Sequence, residues 1–395
     1  MTNKTKGKGE QTKAIHAGDE DNPSTGIASP IYQAAAYRFN DPIEISDAMA
    51  SIAHPEFYGR YGTPNTRQLE STIAQLEGAE AALATGSGMA AISLVLLSLL
   101  REGDHIVVQR NIYPTTYRLI NRQLKNYGIK SSFIDPPAVE NFAEAISAKT
   151  KLVYLESPAN PTLTLTDIKT VSELAKSKDL TTIVDNTFAT PHNQKPLALG
   201  ADIVVQSATK YLGGHSDIVA GVIASSKNLI ERFWRNHILF GSVLHPFEAW
   251  LLERGLKTFP IRMEQHNRNG AAIAEFLEGH EKVERVFYPG LNSHPQNVLA
   301  RRQMSGGFGG MICFEIRGGW QAAYDLVSRV EIISNAVSLG GVHSLITHPA
   351  STISTVQSER EIVESGVSPT LVRLSVGLED KQDLIYDLSQ ALQTT

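Results

Sequence analysis

The sequence holds a single cysteine, Cys313, no surplus of basic residues and no apolar run of bilayer length. One cysteine excludes an internal disulfide framework and a cysteine-based metal cluster. It suits a reducing compartment, so the cytoplasm is the expected location and no metal site is read. With 36 Lys and Arg against 41 Asp and Glu, the formal charge is -5, which argues against nucleic acid as a partner. The most apolar stretch, residues 89–100, is too short to span a membrane and carries two serines, so it reads as a buried helix. The opening MTNKTKGKGEQTK is polar and basic, with no signal-like apolar segment after it, and is expected to be a frayed arm. No internal repeat is present.

What is there is an ordinary globular composition, 42% hydrophobic and 19% charged, in a chain of 395 residues. That length predicts two or three domains. TRQLESTIAQLEGAEAAL reads as one helix, and a second runs from Gly88 to about Leu100. Strands are predicted at HIVVQ, KLVYLES, TTIVDN, DIVVQS and IVAGVIASS, with helices at TTYRLINRQLKNYG and DIKTVSELAKSK between them. This alternation is α/β with a mostly parallel central sheet, and the Val, Ile and Leu runs imply helices on both faces. Near residue 256 the texture changes: GLKTFPIRMEQHNRNGAAIAEFLEGH reads as a long helix interrupted at Pro260. The strand GGMICFEIRGG, the helix WQAAYDLVSRV, the strand VRLSVGLE and the helix KQDLIYDLSQAL then suggest a smaller α+β C-terminal domain. The expected division is an N-terminal arm over 1–62, a large domain over 63–256 and a small domain over 257–395.

Chemistry concentrates at strand ends. KLVYLESPAN ends in Glu156 and Asn160, TTIVDN in Asp185, and VVQSATKYLGGHSD places Lys210 just past a strand, 25 residues after Asp185. In open α/β sheets ligands bind at the C-terminal edge of the strands. A lysine and an acid there suit pyridoxal 5'-phosphate, the lysine forming a Schiff base and the acid keeping the pyridine nitrogen protonated. Taken alone, Asp185 would be read as a turn cap and Lys210 as a surface lysine. The turn ATGSGMAAI places Gly88 and Met89 at a helix start, where backbone amides can receive a phosphate, and Ser207 and Thr209 add hydroxyls beside Lys210. A nicotinamide-binding reading is weaker, because GSGMAA is not expected to follow a strand directly and no G-x-G-x-x-G with a later acid accompanies it.

The motifs IYQAAAYRF, FYGRYGTPN, ATGSGMAA, NIYPTTYRL, YLESPANPT, VDNTFATP, SATKYLGGHSD, SLGGVHSLITHPAS and LVRLSVGLED occur here in order. Together they make the chain resemble the cysteine and methionine metabolism family of fold-type I pyridoxal phosphate enzymes. The resemblance implies that Lys210 carries the cofactor and shuttles protons, that Asp185 pairs with the pyridinium and that Tyr113 stacks on the ring and helps in proton transfer. It implies that Tyr58 and Arg60 reach the phosphate of a neighbouring subunit, so that a homo-oligomer, a dimer of dimers, is expected. It further implies that Arg373 binds the α-carboxylate of a small amino-acid substrate, with Ser338 and Asn160 assisting there.

Some positions depart from the family's pattern. Phe57 precedes Tyr58, and His343 stands in SLGGVH where a glutamate is frequent; both changes remove negative charge from the expected distal pocket. Pro114 and Thr115 follow Tyr113, where methionine γ-lyases carry a cysteine. Thr63-Pro64-Asn65 replaces the usual Asn-Pro-Thr, and HPASTIS lacks the usual histidine after Thr352. The expected activity is γ-elimination of a thioether or oxygen-linked group, giving an α-keto acid and ammonia. The alternative is γ-replacement, as in an O-acylhomoserine sulfhydrylase or a cystathionine γ-synthase. A cofactor-free scaffold is disfavoured by the intact set Lys210, Asp185, Tyr113 and Arg373.

Overall fold

The computed structural model describes Thr5 and residues 7–52, 54–353 and 367–393. Ser354, the last residue of HPASTIS, lies outside the described residues. Seven strands form the larger sheet: β1 (Ala81–Thr85), β2 (His105–Gln109), β3 (Lys130–Ile134), β4 (Thr150–Glu156), β5 (Thr181–Asp185), β6 (Ile203–Ser207) and β7 (Gly221–Ser225). Their order is β1-β7-β6-β5-β4-β2-β3. The five strands from β3 to β6 pair in parallel, whereas β7 runs antiparallel to both its neighbours. β2 and β7 are buried at every position, because helices cover the two faces and leave no solvated side. Ile106, Ile183, Ile203 and Ile223 pack on one face with Leu94 and Val95 of the helix Gly88–Leu99. Val107, Val153 and Val184 pack on the other with Ile168 and Val171 of the helix Ile168–Ser177.

A second sheet has β8 (Val283–Phe287), β9 (Met311–Ile316), β10 (Ser334–Asn335), β11 (Leu345–Thr347) and β12 (Leu371–Ser375) in the order β10-β11-β12-β9-β8. Only the β10 and β11 pair is parallel. Its core joins Ile312, Phe314 and Leu374 to Leu326 of the helix Gly319–Arg329 and Leu388 of the helix Lys381–Gln393. The α/β class with a smaller α+β part therefore matches the sequence pattern. Among the described residues no helix is long and apolar enough to cross a membrane.

Several local readings change. The first long helix is shorter than its periodicity suggests: Pro64–Glu77 begins at a Thr63/Thr66 capping box and stops at Gly78, whose φ of 71° ends it in the left-handed region. The alanines after Gly78 become β1, and this strand leads directly into Gly86-Ser87-Gly88. The glycine turn thus does follow a strand. β1 nevertheless lies at the sheet edge against an antiparallel neighbour, outside the parallel βαβ setting of a dinucleotide site.

Pro260 does not interrupt a helix. It stands in the first turn of Phe259–Glu278, where its missing amide costs nothing, while the preceding helix Pro246–Leu256 ends on its own. Part of the expected frayed arm is ordered. Glu10–His16 is helical, buries Ala14 completely and joins Glu10 Oε2 to His192 Nδ1 at 2.7 Å.

Close backbone packing joins β7 to the turn before the helix Gly88–Leu99. A methyl group on Gly221 would fall 2.2 Å from the Ser87 carbonyl oxygen and 2.6 Å from Thr85 Oγ1. Neither neighbour is the free end of a flexible chain. Gly221→Ala is expected to cost about 1–3 kcal/mol, the usual range for overpacking. Gly279→Ala, whose methyl would sit at an ordinary 3.7 Å from the nearest atom, should be close to neutral. Unfolding midpoints of the two variants against the parent check this.

Candidate active site

Parallel strands bring their C-terminal ends to one edge of the larger sheet. Glu156 ends β4, Asp185 ends β5, and these two acids are direct register partners. β6 ends at Ser207, and the turn that follows carries Thr209 and Lys210. The helix Gly88–Leu99 starts beside this edge, capped by Ser87, whose hydroxyl accepts from the Ala90 amide at 3.0 Å. The first-turn amides of Gly88 and Met89 lack intrahelical acceptors by the geometry of any helix start. Gly88 itself is required by proximity, since a methyl there would stand 2.8 Å from Ser207 Cβ.

These groups line a cavity of about 570 Å³. Gly88, Met89, Tyr113, Asn160, Asp185, Ser207, Thr209, Lys210, Ser338 and Arg373 all border it. Lys210 Nζ donates to Ser338 Oγ at 2.6 Å. Arg373, on β12 of the second sheet, donates through Nη1 to Asn160 Oδ1 at 3.3 Å and through Nη2 to the Ser338 carbonyl at 3.2 Å. The second sheet thus reaches over the strand ends of the first. Thr209 is tied down by its own neighbourhood, because its hydroxyl donates to the Ala220 carbonyl at 3.2 Å and accepts from the Ala220 amide at 3.1 Å.

Charge in this cavity is poorly hydrated. Burial pushes the Lys210 ammonium down to about 8, and the nearby Arg373 charge acts in the same direction. Burial raises the Asp185 carboxyl above its usual range, opposed by Thr187, whose hydroxyl and amide donate to Oδ1 at 2.6 and 3.0 Å. Tyr154 donates to Asp185 Oδ2 at 3.4 Å. Among the described residues no cationic side chain forms an ion pair with Asp185. Glu156 is raised well above the usual carboxylate range by burial and then by the charge of Asp185 beside it.

Four anticipated residues lie elsewhere. Phe57 packs edge-on against Tyr61 with ring centroids 4.9 Å apart, and Arg60 donates to the Ile238 carbonyl at 2.7 Å with its guanidinium 5.4 Å from the Tyr58 ring. His343 is exposed, next to Ser344, whose amide and hydroxyl are both fixed by Glu379. None of Phe57, Tyr58, Arg60 and His343 borders the cavity formed by this chain. Within the single chain Phe57 and His343 thus stand apart from this cavity, which is also lined by Arg110, Tyr117, Arg118, Val219, Val337 and Pro349.

Sequence reading also passed over Thr187 and Tyr154 as partners of Asp185. The signal for Thr187 was a hydroxyl two residues after an acid, a spacing that favours a local side-chain turn. Arg110 and Arg118 flank NIYPTTY and could have been noted from that position alone.

A lysine of lowered basicity, a buried acid without a cation among the described residues and a glycine-built helix start, set at the C-terminal edge of a parallel sheet, define a pyridoxal phosphate-dependent enzyme. The residues present fit that cofactor. Asp185 lacks the positive partner that a protonated ring nitrogen would supply, and Gly88 lets the helix start pack close against Ser207 at the strand edge, bringing the free amides and the hydroxyl to one place. The chain belongs to the Cys/Met metabolism PLP-dependent enzyme family, whose profile matches residues 11–393. Its cofactor is pyridoxal 5'-phosphate and its substrate a small amino acid.

Among similar proteins, the L-methionine gamma-lyase of Fusobacterium nucleatum subsp. polymorphum is 44% identical over 98% of this chain and 99% of its own. The L-methionine gamma-lyase of Pseudomonas putida is 41% identical over 97% of each chain. The cystathionine beta-lyase of Lactococcus lactis subsp. cremoris is 45% identical over 97% of this chain and 98% of its own. The crystal structure of metB from Corynebacterium glutamicum superposes with a TM-score of 0.91 at 38% identity, covering 98% of this chain and 99% of that one.

The depressed Lys210 amine has a measurable consequence. Only the neutral amine attacks an aldehyde, so covalent loading of the cofactor-free enzyme should accelerate through pH 8 rather than near the ordinary lysine value. Following the visible absorbance after mixing with pyridoxal phosphate at a series of pH values checks this. Arg373→Met should move the inflection upward, since it removes a charge that disfavours the ammonium.

Proposed function

We propose that the protein is a methionine γ-lyase-like enzyme that eliminates a γ-substituent, a thioether or an oxygen-linked group, from an L-amino acid. The observation that carries this reading is the cavity's charge. Among the described residues its only acids are Glu156 and Asp185, both already hydrogen-bonded at the sheet edge, while Arg110 and Arg118 also line it. Among these residues a distal ammonium would find no free counter-charge. The methionine γ-lyases among the relatives support the same substrate class.

When bound, pyridoxal phosphate supplies the electron sink that makes loss of the substrate's α-proton feasible. In this reading Lys210 would hold the cofactor, and its Nζ would take and return that proton. Asp185 would hold a proton on the ring nitrogen, Tyr113 would stack on the ring and help proton transfer through its hydroxyl, and Gly88, Met89, Ser207 and Thr209 would receive the phosphate. Arg373 grips the substrate carboxylate with its planar fork, assisted by Asn160 and Ser338. The arm at 1–62, the cofactor-binding unit at 63–256 and the small domain at 257–395 remain the working division. The buried free Cys313 supports a reducing compartment, the cytoplasm.

Tyr58 and Arg60 act in this reading on the phosphate of a second chain, because they stand outside their own cavity. Exposed Ile43, Met49, Leu239 and Phe240 also call for a covering surface. With the family resemblance, this reading takes the protein to be a homo-oligomer, a dimer of dimers. Arg60→Ala and Lys210→Ala chains, each inactive alone, should regain activity when mixed, since one hybrid site is intact. Well-mixed hybrids with no recovered activity would oppose a shared site.

Substrate preference tests the main reading. With methionine, O-substituted homoserines and cystathionine compared in one preparation, kcat/KM for cystathionine should be lower by at least about tenfold, given the several kcal/mol cost of an uncompensated buried ammonium. The product should be an α-keto acid and ammonia. Cystathionine as the best substrate would refute the reading. An amino-acid product from an activated homoserine plus sulfide would assign γ-replacement instead.

A further inference from the structure

Glu156 borders the cavity beside Asp185, yet no step proposed above uses it. Its side chain is buried, and its two carboxyl oxygens are taken by amides on two different segments. Oε2 accepts from the Tyr113 amide at 2.7 Å, and Oε1 from the Asn160 amide at 2.9 Å. The first segment follows β2 and the second follows β4. Gln109, the last residue of β2, completes the arrangement: its Oε1 accepts from the Glu156 amide at 3.3 Å while its Nε2 donates to the Asn111 carbonyl at 3.0 Å. The stretch from 109 to 113 is therefore pinned at both ends by neighbouring strand termini.

A buried acid that merely quiets loose amides could do so under any loop. Here one amide belongs to the residue placed against the cofactor ring, and the other to the residue bridged to Arg373. We propose that Glu156 is a positioning residue that fixes Tyr113 and Asn160 relative to each other, and through them the cofactor ring relative to the substrate's α-carboxylate. This rests on the roles given above to Tyr113 and Asn160. Chemistry makes the carboxylate specific for the task. It offers an acceptor on each oxygen, whereas a carboxamide offers one oxygen and turns an NH2 group toward the second amide.

The test compares holoenzymes carrying Glu156→Gln, Glu156→Asp, Asn160→Ala and Tyr113→Phe, together with the Glu156→Gln/Asn160→Ala double variant. Glu156→Gln should still bind pyridoxal phosphate but lose roughly tenfold to a hundredfold in kcat/KM, the range for leaving one buried amide without its acceptor. Its visible absorption band should move, because the Tyr113 ring shifts. Glu156→Asp, which keeps two acceptor oxygens, should fall between Glu156→Gln and the parent in both respects. The KM penalties of Glu156→Gln and Asn160→Ala should be non-additive in the double variant, since they act through one group. If Glu156→Gln matches the parent in band and kinetics while Asn160→Ala and Tyr113→Phe are impaired, the role of Glu156 is overturned and the site reading stands. If Asn160→Ala and Tyr113→Phe both work at parental rates, the underlying reading itself fails. Should Glu156→Gln not fold, the aspartate variant decides, and a parental band, kcat and KM in it overturn the proposal.

Discussion

A carboxylate kept from water without a cation demands positive charge, and the position of Asp185 creates that demand at the centre of this molecule. Thr187 and Tyr154 give its oxygens hydrogen bonds, but dipoles offset only part of the desolvation of a charge. Everything else at the sheet edge is arranged around this deficit. The parallel strands aim their C-terminal ends one way, the helix start contributes positive dipole, and the lysine after the next strand has its basicity lowered by burial. In the proposed reading a cationic ring nitrogen would complete the balance that the protein leaves open.

The second sheet supplies what the first cannot. Arg373 arrives on β12, donates to Asn160 from the first sheet and to the Ser338 carbonyl, and its charge adds to burial in lowering the basicity of Lys210. Ser338 in turn takes the Lys210 amine at 2.6 Å. In the proposed reading substrate recognition and amine reactivity therefore share one small network spanning both sheets, so that shifting either sheet would disturb both. The buried Arg262 braces the same turn from below, donating to the carbonyls of Tyr211, Leu212 and Gly255.

Strand ends were legible because apolar runs closed by a chemically distinctive residue survive any tertiary context. Lys210, Asp185 and Glu156 stand at the edge their runs implied. The start of the chain was harder. β1 hid inside a helical pattern because alanine suits either state, and only the left-handed Gly78 separates helix from strand. β3, KSSFI, carries little apolar signal since just its last residue is fully buried. Pro260 looked like a break, although proline is equally at home in a first turn. Phe57 and His343 were read by analogy of position. Whether a loop turns its side chain inward depends on contacts such as the Glu379 clamp on Ser344, which no local pattern encodes.

Ser338 holds its backbone at a φ of 87°, a region that glycine occupies freely and a serine enters at a cost of about 1–3 kcal/mol. Glycine would relax the chain there but has no hydroxyl for Lys210. The position thus marks a conflict between durability and chemistry, and it sets a boundary for engineering. A search for tougher versions of this enzyme guided by backbone preference alone would select against the residue on which its amine rests.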